Sequence, residues 1–226
     1  MKITFYGHAC FGIETGGYHL LVDPFITGNG QASHIDVDGI PADFILLTHG
    51  HGDHVLDAER IARRTGALII SNFEIVSWYG EKGLTNGHGM NHGGEFGFDF
   101  GRLKYVSAVH SSVLPDGTYG GNPGGFIIKA EGKNVYIAGD TALTMDMKLI
   151  GAYDRPHVAI LPIGDNFTMG IRDAAICADF IQCNTIIGAH FDTFPPIKID
   201  HEEAVRAFAE GGNELILMEI GETREF

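Results

Sequence analysis

The chain has 226 residues, 44% hydrophobic and 19% charged, with a net charge of −14 when His is neutral. That length is enough for a sizeable core, and with no Pro- or Ser-rich spacer it reads as one domain over residues 1–226. The acid excess sets aside nucleic acid and anionic membrane surfaces as partners, and no apolar run approaches the ~20 residues needed to cross a bilayer.

The 32 glycines are about twice the usual share of roughly 7%, and their scatter implies many tight turns between short strands. Residues 2–6, 10–15 and 18–23 read as three strands, with Gly16-Gly17 a hairpin turn between the last two. His8 lies in the first turn and Asp23-Pro24 ends the third strand; the loop 24–42 is polar. A buried strand follows over 43–48, then a His-rich loop, then a helix over 55–64 with Val55, Leu56, Ala58, Ile61 and Ala62 on one apolar face. Residues 67–71 form a strand and 73–82 a helix, while 86–94 shows no periodicity. Phe96, Phe98 and Phe100 alternate, so 95–100 is a strand with one buried face. Strands over 103–109, 125–130 and 133–138 come next, the first separated from the hairpin by the polar loop 111–124. A short helix over 145–150, a strand over 157–163, a helix over 170–182 and a strand over 185–189 follow. Asp200 and Glu203 resemble a capping box opening a helix to Ala209, and 214–220 closes the chain as a strand. Strands in groups with helices between them, in both halves, argue for central sheets with helices outside.

The stretch Thr48-His49-Gly50-His51-Gly52-Asp53-His54 carries the chemistry. On an extended chain His49, His51 and Asp53 share one side and His54 takes the other, so one segment offers ligands in two directions. A His-rich polar turn is the plain alternative, but three imidazoles and a carboxylate in six positions is metal-ligand chemistry. His110, Asp140 and His190 each follow a short apolar strand, where a loop would leave a sheet. Any one alone reads as a capped polar residue; together with the opening stretch they make five histidines and two aspartates, enough for two ions. The three cysteines, Cys10, Cys177 and Cys183, form no CxxC, and the first residues alternate like a strand rather than a signal peptide, so the expected compartment is the cytoplasm.

At Asp23, His49-x-His51-x-Asp53-His54, His110, Asp140 and His190 the sequence resembles the metallo-β-lactamase superfamily. Gly7-His8-Ala9-Cys10-Phe11, Asp23-Pro24-Phe25, His110-Ser111-Ser112, Ala138-Gly139-Asp140-Thr141, the run Leu161 to Met169 and His190-Phe191-Asp192-Thr193-Phe194-Pro195 resemble a branch of metal-dependent hydrolases similar to L-ascorbate-6-phosphate lactonase. The resemblance implies an α+β, four-layer αββα sandwich with metals at one edge. It also implies a first ion on His49, His51 and His110, a second on Asp53, His54 and His190, and Asp140 bridging them. The expected cofactors are two divalent ions, zinc first, then manganese or iron, because the set lacks thiolates.

These features point to a hydrolase that activates water against a small ester, lactone or phosphoester, with Asp53, Asp140 and His8 as catalytic candidates. Asp23 reads as a carboxylate orienting a ligand, or as an Asp-Pro turn opener. His8 reads either as a proton-moving or substrate-binding group at the mouth, or as a turn histidine with a satisfied ring. Ser111, Asn122, Asp165 and Thr168 lie on loops able to line a pocket. A mononuclear iron oxidoreductase of the same fold, similar to persulfide dioxygenases, is the alternative. The partner is a small-molecule substrate, and the pattern is compatible with a homo-oligomer.

Overall fold

In strand β3 (Tyr18–Val22), Leu20 and Val22 point into one core and Leu21 into another. This period-two alternation, repeated in strand after strand, decides the layering. The structure, a computed structural model, describes residues 1–226. The first sheet is built from β1 (Lys2–Gly7), β2 (Cys10–Thr15), β3, β4 (Phe44–Leu46), β5 (Leu68–Asn72) and β6 (Gly87–Met90). The second holds β7 (Glu95–Phe98), β8 (Gly101–Ser107), β9 (Gly124–Ala130), β10 (Lys133–Ile137), β11 (Val158–Pro162), β12 (Thr185–Ala189) and β13 (Glu214–Ile216). β14 (Thr223–Glu225) returns to the first sheet beside β1, so the orders are β14-β1-β2-β3-β4-β5-β6 and β13-β12-β11-β10-β9-β8-β7.

Inner faces of both sheets meet in a core that includes Ile3, Phe11, Leu46, Ile70, Leu103, Phe126, Ile137 and Ile160. The outer face of the first sheet packs on α1 (Gly52–Val55), α2 (Ala58–Thr65) and α3 (Phe73–Glu81), through Ile45 and Ile69 against Val55, Ile61 and Tyr79. The outer face of the second packs on α4 (Met147–Leu149), α5 (Ile171–Ile181) and α6 (His201–Glu210), through Tyr136 and Leu161 against Cys177 and Phe208. Three apolar interfaces therefore separate four layers, α, β, β and α. No helix is long and apolar enough to cross a membrane.

Several expectations are corrected. The helix expected over 55–64 starts at Gly52, inside the His-rich loop, and breaks at Leu56-Asp57. Asp57 is what breaks it: its carboxylate accepts from the Ile26 and Thr27 amides at 2.7 and 2.9 Å and from the Thr27 hydroxyl. The stretch without periodicity contains β6, which runs parallel to β5; its register pairs Gly87 with Ile69 and Gly89 with Ser71, so half its positions have no side chain to pattern. Phe96 is 48% exposed, not buried, because β7 is an edge strand; its ring leans on His88 of β6, with centroids 4.4 Å apart. The last expected strand ends at Ile216, and the chain crosses to the other sheet, where Gly221 N–H donates to the Phe5 carbonyl and β14 begins. The Asp200 cap is present in one direction, with its carboxylate accepting from the Glu203 amide at 3.0 Å.

Candidate metal centre

The site lies where strand ends of both sheets open onto loops. β4 is apolar throughout, so the chain leaves the core only at Thr48. His51, the residue before α1, is extended, with φ −64° and ψ 148°. From Gly52 the backbone is helical, so successive side chains turn by about 100° rather than 180°. That change puts Asp53 with His54, not in step with His49 and His51 as an extended chain would have it. His49, His51 and His110 form one cluster, and His8, Asp53, His54 and His190 another, the potential ligand atoms of each lying within 4.8 Å of one another.

Asp140 sits between the clusters. Its Oδ2 is 3.1 Å from His190 Nε2 and 3.4 Å from His54 Nε2 on one side, and 3.5 Å from His110 Nε2 and 3.9 Å from His49 Nε2 on the other. Gly139 makes this approach feasible. Its φ is +63°, and a Cβ there would come 2.7 Å from Thr48 Cβ, so only glycine lets the β10 exit lie against the β4 exit. His110 lies three residues past the end of β8, and the loop is held by the Val109 amide donating to Thr141 Oγ1 and the Ala142 amide donating to the Val109 carbonyl. His190 adopts φ +55°, with its amide donating to the His8 carbonyl at 2.8 Å.

Asp23 organises the back of the site. Oδ1 accepts from the Thr48 amide at 2.8 Å; Oδ2 accepts from Thr48 Oγ1 at 2.6 Å and from His54 Nδ1 at 2.8 Å. With one proton held on Nδ1, His54 aims Nε2 toward Asp140 and Asp53, the nitrogen that offers a lone pair once its own proton is displaced. The Thr48 hydroxyl gives its proton to Asp23 and so receives one from His49 Nδ1, 3.0 Å away, which frees His49 Nε2 in the same way. His49 Nε2 is then 3.0 Å from His51 Nδ1. Sequence reasoning misses Thr48; adjacency to His49 is the only signal it carries.

His8 is 2% exposed, so it sits beneath the site rather than at its mouth. Its Nε2 is 3.1 Å from Asp53 Oδ2 and its Nδ1 2.9 Å from Thr193 Oγ1. Burial is the main reason its pKa falls to about 4, so the ring is neutral at pH 7. Of the loop residues, Ser111 reaches the cluster, with Oγ 3.2 Å from His51 Nε2. Asn122 accepts from the Tyr119 hydroxyl, and Asp165 and Thr168 close their own turn around Met169. The remaining histidines stay outside both clusters; His92, for example, stacks on Tyr105.

The electrostatics are those of a site built for cations. Burial alone would protonate Asp140, yet His54 and His190 hold its carboxyl well below the usual range. Burial alone would neutralise His190, yet Asp140 and Asp53 hold it up to about 9. Burial, then the neighbouring imidazoles, push His49 well below its ordinary value despite Asp140. His54 Nε2, which faces Asp140 and Asp53, is buried without a hydrogen-bond partner, as is Asp140 Oδ1. Buried polar atoms are seldom left so, and imidazole nitrogens converging with carboxylate oxygens fit divalent first-row ions. The three cysteines are buried elsewhere and in no cluster, so the donor set has no thiolate.

A family profile described as the Beta-lactamase superfamily domain matches residues 2–190. The UPF0173 metal-dependent hydrolase of Flavobacterium johnsoniae is 62% identical over 225 residues, covering the whole of both chains. The UPF0173 metal-dependent hydrolase YtkL of Bacillus subtilis is 44% identical over 232 aligned positions, again covering both chains. Among solved structures, Igni18, a metallo hydrolase from the archaeon Ignicoccus hospitalis, superposes with a TM-score of 0.90 at 36% identity, covering 100% of this chain and 98% of that one.

Proposed function

The chain belongs to the β-lactamase superfamily, among its metal-dependent hydrolases, and from that premise we propose that it uses a dinuclear centre to hydrolyse a small ester, lactone or phosphoester. The observation that carries this reading is the position of Asp140 Oδ2, within 3.1 to 3.9 Å of imidazole nitrogens from both clusters. His49, His51 and His110 would hold one ion, Asp53, His54 and His190 the other, and Asp140 would serve both. Zinc suits this donor set first, with manganese or iron next. Divalent ions there would polarise the oxygen that gains charge and bring the pKa of water from 15.7 toward ~7.

The chain's own residues prepare the site for this. Asp23 and Thr48 set the tautomers of His54 and His49, so both present a lone pair. His8 donates an N–H to Asp53 and fixes which carboxylate oxygen faces the cluster; we assign it a positioning role. Because His49, His54, Asp140 and His190 are buried while His51, Asp53 and His110 are partly exposed, a substrate approaches from the latter side. Relatives at 44% and 62% identity are hydrolases by name, which disfavours the iron oxidoreductase alternative.

The test is a hydrolysis screen on protein reconstituted separately with zinc and manganese, with metal content measured in parallel. Turnover that tracks the second equivalent of metal supports the reading. Full activity at one equivalent, or none with two bound, overturns it.

A further inference from the structure

Exposed carbon flanks the proposed ligands along the chain. Leu56, three residues after Asp53, is 48% exposed; Val109, next to His110, is 58% exposed; Phe167 is 53% exposed. Leu56 belongs to a group with Phe25 and Phe194 beside His8: a Cβ at Gly28 would strike both Phe25 and Leu56, and the Phe25 and Phe194 rings are each about 5.5 Å from the His8 ring. Val109 and Phe167 sit on two further loops. Both are tied to Thr141, the neighbour of Asp140: the Val109 amide donates to its hydroxyl, and the Met169 amide closing the Phe167 turn donates to its carbonyl. Large apolar side chains left in water beside a reactive centre usually mark what the site binds.

Charge points the same way. None of the segments that meet here, residues 7–11, 23–29, 47–57, 107–123, 138–146, 163–170 and 189–197, contains a Lys or Arg, although the chain has 15. Just beyond these segments, Arg172 and Lys198 line a cleft of about 650 Å³ at the starts of α5 and α6 that shares Ile163 to Asn166 and Gly170 with the segment 163–170. That cleft also carries Asp165, Asp173, Asp200 and Glu203, so its lining is net acidic. A substrate with a phosphate or carboxylate away from the reacting bond would bury that charge against carbon with no partner.

We propose that Leu56, Val109 and Phe167 form an apolar collar that selects acyl substrates, esters or lactones, whose non-reacting part is uncharged and hydrocarbon-like. The proposal rests on the hydrolase reading and narrows it, setting phosphorylated substrates aside. In the reaction, water adds to the acyl carbon and the carbon–oxygen bond to the leaving group breaks. The products are a carboxylic acid and an alcohol, or one hydroxy acid from a lactone, with no other reactant consumed.

Two measurements test it. In the first, the metal-loaded protein hydrolyses p-nitrophenyl acetate, butyrate, hexanoate and hydrogen glutarate, whose acyl chain ends in a carboxylate. The expectation is that kcat/KM rises about two- to fourfold per methylene along the neutral series, chiefly through KM, as partial burial of carbon requires. Glutarate falls below butyrate. Phe167→Ala and Leu56→Ala flatten the chain-length slope with metal content unchanged, and Phe167→Leu restores most of it. In the second, metal-free protein with labelled methyl groups is titrated with 1-hexanol or glucose 6-phosphate and followed by NMR. Hexanol shifts the Leu56 and Val109 methyl signals and glucose 6-phosphate does not. A flat series with glutarate equal to butyrate, or glucose 6-phosphate shifting the same methyls, overturns the collar. If hexanol binds there but no ester is turned over with both ions present, the hydrolytic reading fails while the collar stands.

Discussion

His54 Nδ1 lies 2.8 Å from Asp23 Oδ2, across a separation of 31 residues in the chain. The bond sets the tautomer of one proposed ligand from a residue outside the proposed ligand set. Asp23 has φ +43°, a conformation that Asn tolerates as well as Asp, so Asp23→Asn tests the chemistry with little backbone cost. An amide that keeps the Thr48 amide bond at Oδ1 puts an NH2 in place of Oδ2, the oxygen that accepts from both Thr48 Oγ1 and His54 Nδ1. Metal affinity should fall about 10- to 100-fold, the usual effect of removing such a partner. Competition against a chromophoric chelator measures it, and an affinity within a factor of about two of the parent protein would refute the role.

Asp140→Ala removes the one carboxylate that both clusters share. The expected outcome is loss of both ions, not one, with hydrolysis at background and the circular dichroism spectrum retained. Elemental analysis decides the matter: two equivalents bound with full activity would show that Asp140 is not the bridge.

Much of this site is legible in the sequence because metal ligands have a narrow chemical vocabulary. His49, His51, Asp53, His54, His110, Asp140 and His190 stand out by residue type and by their place after apolar strands. Their grouping is less legible, since it depends on the backbone switching from extended to helical at Gly52, which alternation alone cannot reveal. The four layers follow from residues such as Leu20, Leu21 and Val22, which face different cores. β6 is hidden because glycine at alternate positions leaves no pattern, and β14 because a three-residue strand is shorter than any periodicity test. His8 stands out in its motif but its buried place does not, and Thr48 has only its adjacency to His49: their roles come from hydrogen bonds to Asp53 and Asp23, which only the fold supplies.

Tyr136 is fully buried under α5, and its hydroxyl has no hydrogen-bond partner. Burying an unpaired hydroxyl costs roughly 1–3 kcal/mol. Removing the oxygen also removes its dispersion attraction to the surrounding core, which offsets part of that gain. Tyr136→Phe should therefore leave metal binding unchanged and raise stability by up to about 1 kcal/mol. Urea titration reads this directly, and a clear drop in stability would mean that the hydroxyl is satisfied in solution.

Metal-free and metal-loaded protein should respond to pH in opposite directions. Without metal, burial works against protonating His190, but Asp140 and Asp53 raise its folded pKa to about 9; His54 is raised as well. A raised histidine pKa stabilises the fold fully below the unfolded value near 6.5, and that stabilisation is lost as pH rises toward 9. Metal binding needs the same rings neutral, so it displaces their protons and tightens over the same window. Chemical denaturation at about pH 6.5, 7.5 and 8.5 should give falling stability for the metal-free chain, while calorimetry in two buffers of different ionisation enthalpy should show proton release on metal uptake. Uptake with no proton release at neutral pH would contradict the coupling.

Gly164 controls the backbone on which His190 rides. A Cβ at Gly164 would overlap the His190 carbonyl oxygen and come 3.0 Å from Ile197 Cβ. His190 cannot retreat freely, because its amide is bonded to the His8 carbonyl on the other side. Gly164→Ala must therefore either strain the β11 exit or shift His190, at a cost of about 1–3 kcal/mol for overpacking. For a chain of this size that lowers Tm by about 2–4 °C per kcal/mol. Gly80→Ala is the matched control: the site is helical, in α3, with nothing within 4 Å, so alanine there should stabilise by about 0.5–1 kcal/mol. The pair separates a general glycine effect from a local one. If Gly164→Ala instead melts with the parent protein and keeps both ions, the clamp on His190 does not hold.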